Sequence, residues 1–149
     1  MNNTYRKHLS PNFILYEFVR SGVAIEKHID NNPLAAEREA LANLCSNILE
    51  PLRKAFGPIV ISSGYRCQRL NRLVGGADNS QHCRGEAADI VACSPERLHH
   101  YFVFIKRNLD FDQLIMEPIG AKVPRWLHVS YTTRRKNRHE IVGRGELVA

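Results

Sequence analysis

The longest periodic stretch of this chain runs from Leu41 to Phe56. Leu41, Leu44, Cys45, Ile48, Leu49, Leu52 and Phe56 recur at the i, i+3, i+4 spacing of one apolar helical stripe. Pro33 opens that helix and Gly57 ends it. Pro51 lacks a backbone donor, so a kink or break is expected there. A second helix is predicted over "PERLHHYFVFIKRNL", with Ser94 as N-cap, Pro95 at the first position and Glu96 in the first turn. "CQRLNRLVGG" (67–76) reads as a short helix stopped by two glycines.

Strands are expected at "PIVISS" (58–63), "GEAADIVAC" (85–93), "FDQLIME" (111–117) and "RWLHVSY" (125–131). "FILYEFVR" (13–20) fits a helix or a strand equally well. The strands are few and mixed with helices, without a repeating βαβ alternation. That pattern predicts an α+β fold: a small, largely antiparallel sheet with helices packed on it. The length of 149 residues fits a single domain over 1–149. Alternation puts Trp126, His128 and Ser130 on one strand face, with Leu127 and Val129 on the other. Matching apolar to apolar across the hairpin brings Gln113 and Glu117 to the His128 side. Phe111, Ile115 and Asp112 fit that register imperfectly.

Composition is ordinary for a soluble protein, at 44% hydrophobic and 24% charged. The net charge of +6 and pI of about 9.4 are compatible with a polyanionic partner. Arg134, Arg135, Lys136 and Arg138 lie close together with Arg144 further on, and no aromatic residue interleaves them. A solvated basic tail is therefore expected; nucleic acid is disfavoured as a partner, because base stacking lacks its usual platform. Cys45, Cys67, Cys83 and Cys93 form no CxxC pair and read as free thiols of a reducing compartment. No stretch approaches a transmembrane span, and the N-terminus lacks the apolar run of a signal peptide. A monomeric chain, cytoplasmic as synthesised and released only by separate machinery, is the expectation.

The candidate chemistry lies in "SQHCRGEAADI" and "WLHVSY". Asp89 is a costly charge inside a strand unless a cation pairs with it. His82, Asp89 and His128 make a three-ligand set that leaves a fourth zinc position for water. Such an ion polarises a carbonyl and lowers the pKa of bound water toward ~7. Histidine–aspartate spacings of this kind also occur by accident, so spacing alone leaves the set a candidate. His8, His28, His99, His100 and His139 have no such company and read as ordinary residues. Gly85 is expected to permit close backbone approach beside the metal, and Cys83 to be buried.

The order "SSGYRC…LN…VGG…NSQHCRGEAADI…FDQLI…WLHVSY" resembles the zinc D,D-carboxypeptidases and related phage endolysins, over residues 9 to 145. The match lies at Ser80, His82, Gly85, Ala87 and Asp89, then at Trp126, His128 and Ser130, with Arg66 in the SGYR segment. The resemblance implies a Hedgehog/DD-peptidase-like fold, zinc (Zn2+) held by His82, Asp89 and His128, and a peptidoglycan peptide substrate. Arg66 would meet a substrate carboxylate or the developing oxyanion. Ser80 would either hydrogen-bond substrate or cap a turn. In this family the catalytic acid often precedes the last histidine ligand by three residues. Arg125 stands there instead and cannot take a proton from water. Glu117 is the expected replacement as general base; Glu86, three residues from Asp89, alternates in the wrong sense. A non-catalytic zinc-containing module that binds wall or protein is the alternative.

Overall fold

Residues 3–142 are described by the structure, a computed structural model of the chain. A small hairpin comes first, β1 (His8–Ser10) with β2 (Phe13–Ile14), followed by the short helices α1 (Tyr16–Val19) and α2 (Gly22–Glu26). The segment that fitted helix or strand equally well thus divides into both. Helix α3 (Ala35–Leu44) passes through a π-helical turn (Cys45–Leu49) into α4 (Glu50–Phe56). In that turn the Glu50 N–H reaches back to the Cys45 carbonyl. The irregularity expected at Pro51 is therefore a widened turn just before the proline, which accommodates a residue that cannot donate.

The remaining elements are β3 (Val60–Ser63), α5 (Gln68–Leu73), a 3-10 turn (Gln81–Arg84), β4 (Ala87–Val91), α6 (Pro95–Asn108), β5 (Gln113–Glu117), β6 (Trp126–Ser130) and β7 (Glu140–Val142). Ser94 caps α6 by accepting from the Arg97 N–H at 3.1 Å. Five strands form one sheet in the order β3-β4-β6-β5-β7. All its pairings are antiparallel except β5 with β7. The α+β architecture follows, with helices packed on this sheet.

Strand alternation sorts the sheet into two faces. Ile61, Ala88, Ile90, Leu114, Met116, Leu127 and Val129 are buried in one core with Leu41, Leu44, Ile48, Leu52, Leu98, Phe102 and Ile105 of the helices. Asp89, His128, Trp126, Ile115 and Glu117 point the other way, into a cavity. One face is held by apolar burial, which leaves the other free for chemistry.

Two expectations change here. Phe111 and Asp112 precede β5 rather than belong to it, which removes most of the register misfit; Ile115 stays on the site face opposite His128. The segment read as a solvated basic tail contains β7, which pairs with the edge of β5. Its arginines are anchored, as described below. Arg144 lies outside the described residues. Among the described residues no helix is long and apolar enough to cross a membrane.

Candidate metal centre

Three devices present His82. Ser80 caps the 3-10 turn, its Oγ accepting from the His82 N–H at 3.2 Å. Gly85 ends the turn with φ 72, where a Cβ would stand 2.3 Å from the Glu37 carbonyl oxygen of α3. The close approach that needs this glycine is therefore to helix α3, not to the metal position. On the far side, the His82 Nδ1–H donates to the Gly64 carbonyl at 2.6 Å. Gly64 can bring its backbone there because it has no Cβ; one would lie 2.7 Å from Phe18.

Asp89 and His128 come from adjacent strands as a direct cross-strand pair. His82 Nε2 lies 3.3 Å and His128 Nδ1 3.0 Å from Asp89 Oδ1, and one donor atom from each residue falls within 4.8 Å of the others. The sequence had separated these residues by up to 46 positions (128 − 82); the sheet brings them together.

The donor set fits a metal ion on three counts. Two imidazoles and a carboxylate are common zinc ligands, and donors 2.0–2.1 Å from a tetrahedral ion stand roughly 3.3 Å apart. His82 is also oriented from behind by a backbone carbonyl, the usual support of a metal-bound imidazole. The third count is electrostatic. Burial pushes the His82 pKa below its ordinary value, which favours the neutral ring. Its one proton is on Nδ1, facing Gly64, so Nε2 turns a bare lone pair toward the Asp89 oxygen. Those two electron-rich atoms repel unless a cation lies between them. Burial opposes ionisation of Asp89 itself. The adjoining imidazole of His128 outweighs that effect and holds its pKa well below the carboxylate range.

The trio opens on a cavity of about 660 Å³ that also meets Arg66, Ser80, Gln113, Glu117 and Trp126. Glu117 pairs with Trp126, two cross-strand pairs from Ile115 and His128 and so the next row on the same face, which is the His128 face as the alternation predicted. Arg125 is exposed, its guanidinium 5.7 Å from the centre of the Trp126 ring, and does not line the cavity. Arg66 donates its backbone N–H to the His82 carbonyl, and its Nε is buried without a hydrogen-bond partner among the described residues. Ser80 does cap a turn, yet it also lines the cavity with its hydroxyl hydrogen still available.

Glu86 has a different role. It is buried, accepting from Arg134 Nε and Nη2, Thr132 Oγ1 and Gln81 Nε2. Burial would raise its pKa, but these hydrogen bonds outweigh it and lower the value. Arg135 and Arg138 both grip Asp112, which is fully buried. The basic segment is thus a set of anchored arginines rather than a solvated tail. Sequence inspection missed Asp112 and Gly64 because their partners lie 18 or more residues away. Cys83, expected buried, is half-buried, and all four cysteines are free.

Asp112 makes acid sensitivity an expected property. Burial alone would raise its pKa, but hydrogen bonds from Arg135 and Arg138 hold it far below the ordinary range. A carboxyl depressed in the folded state stabilises fully above its unfolded pKa of about 3.9. That stabilisation is lost as pH falls from there toward the folded pKa. Thermal melting from pH 7 to 2.5 should show a steep fall below about pH 4. Asp112→Asn should have a lower melting point at pH 7 and a shallower fall; an unchanged profile counts against this network.

A model of the family described as Peptidase M15 matches residues 11–130. This chain belongs to the Peptidase M15 family. It is also similar to the zinc D-Ala-D-Ala carboxypeptidase of Streptomyces albus G, 46% identical over 48 residues. That alignment takes in 31% of this chain and spans only 19% of the length of the Streptomyces protein.

Proposed function

We propose that this chain is a zinc-dependent peptidase that hydrolyses peptidoglycan stem peptides, as a D-Ala-D-Ala carboxypeptidase or an endolysin-type endopeptidase. The observation that carries this reading is the convergence of His82, Asp89 and His128 at the floor of a cavity that also holds Glu117 and Arg66. Membership of the family and the partial likeness to a zinc carboxypeptidase support the metal and the reaction class.

Zinc held by His82 Nε2, Asp89 Oδ1 and His128 Nδ1 would supply Lewis-acid chemistry and a more acidic water. Glu117 is the carboxylate suited to take the proton from the attacking water and return it to the leaving amine. Arg66 offers a fixed positive charge to the oxygen that gains charge in the tetrahedral state, or to a substrate carboxylate. Gly64 keeps His82 in the tautomer that leaves Nε2 free.

The decisive experiment incubates purified protein and zinc with defined muropeptides and reads the products by mass. Loss of a terminal D-Ala identifies a carboxypeptidase; paired fragments identify an endopeptidase. A folded, zinc-loaded wild type that leaves every muropeptide intact would instead favour the binding module.

A further inference from the structure

The metal cavity has unlike ends. Ile115 and His128 form the row at its centre, with Glu117 and Trp126 one row to one side. Gln113 lies one row to the other side, its N–H donating to Ser130 Oγ. Same-face residues on a strand are about 6.6 Å apart, so Glu117 and Gln113 are separated by roughly 13 Å along the sheet. At the Gln113 end, the chain leaving β6 turns Arg134, Arg135 and Arg138 onto the cavity, and the 3-10 turn adds Arg84.

Their charges are arranged in layers. The carboxylates of Glu86 and Asp112 are buried, 5% and 0% exposed, while Arg134, Arg135 and Arg138 keep 43%, 39% and 42%. The negative charge lies behind and the positive charge faces the cavity. Glu140 at the rim is 3.6 Å from Arg138 Nη1 and accepts from Gln113, which offsets part of the Arg138 charge. Arg134 uses Nε and Nη2 on Glu86, and its Nη1 has no acceptor among the described residues. Arg84 is exposed and has no hydrogen-bond or ion-pair partner among the described residues. Guanidiniums already fixed by paired hydrogen bonds lose little freedom on meeting an anion.

We propose that the substrate carries a second carboxylate on the side of the scissile bond remote from Glu117, bound by the wall of Arg84, Arg134, Arg135 and Arg138. This rests on the peptidase reading above. The arginines share a cleft with the metal centre and do not form an open basic face, so the anion belongs to the molecule being cut. The arrangement also orients that molecule: its second acid points to the Gln113 end, and its scissile bond lies over the central row.

Two stem peptides identical except for a carboxylate or a carboxamide at that position form the test. With zinc-loaded wild type at low salt, kcat/KM should favour the acid by roughly tenfold, the scale of a charged hydrogen bond reduced by solvent. Added salt should narrow the ratio. Arg84→Gln and Arg134→Gln, with folding checked by circular dichroism, should narrow it as well. Affinities of both peptides for Glu117→Gln, measured by calorimetry, should show the same preference. Equal kcat/KM and equal affinity overturn the proposal, as does a preference unchanged in both arginine variants. If neither peptide is cut by wild type, the peptidase reading fails, and the affinity difference still decides the question of the wall.

Discussion

Glu117→Gln should keep its zinc and its fold while turnover falls by roughly 10²–10⁴, the usual worth of a positioned acid–base group. The substitution preserves size and polarity and removes only the proton acceptor. Glu117 is half-buried at the end of β5, paired with Trp126 and outside the hydrophobic core, so folding does not depend on its charge. Its nearest rivals are poorly equipped for the task. Glu86 is saturated by Arg134, Thr132 and Gln81, and Arg125 points away over Trp126. Metal content, circular dichroism and the rate on one confirmed muropeptide measure the three quantities together. Wild-type rates in Glu117→Gln would move the proton transfer to another group.

His128→Ala should have the larger effect, because it removes a metal donor and not a proton acceptor. Metal analysis of the wild type should give about one zinc per chain, and the variant should lose it. Turnover should fall further than in Glu117→Gln, since both the polarised carbonyl and the acidified water depend on the ion. In the metal-free protein the change also strips Asp89 of its 3.0 Å hydrogen bond, which leaves a half-buried carboxylate with less support. The protein should nevertheless fold, because His128 lies on the cavity face and Leu127 and Val129 fill the core on either side of it. A folded wild type that takes up no zinc would end the metal reading.

Much of this site was legible in the chain because its signals are local. Alternation in "WLHVSY" put His128 and Trp126 on one face, and the same period in "FDQLIME" carried Glu117 there. The helical stripe from Leu41 to Phe56 appears as the helical side of the core. Ser94 and Gly57 mark the helix ends they were expected to mark. The glycine in "HCRGEAAD" was noticed, but its neighbour was misjudged: the backbone pressed against it belongs to α3.

The sequence by itself determined which side chains share a face in β5 and β6 and which of the longer periodic segments are helix or strand, since periods of 3.6 and 2 residues are properties of the local backbone. Only the tertiary structure decided the strand order β3-β4-β6-β5-β7, which sets Asp89 opposite His128. It alone decided the His82 tautomer, fixed by a carbonyl 18 residues away, and turned an apparently solvated run of arginines into a wall braced by Glu86 and Asp112. These features depend on pairings between distant segments. The free energy of burying a carboxylate, and the hydrogen bonds that then become obligatory, exist only once those segments have packed together.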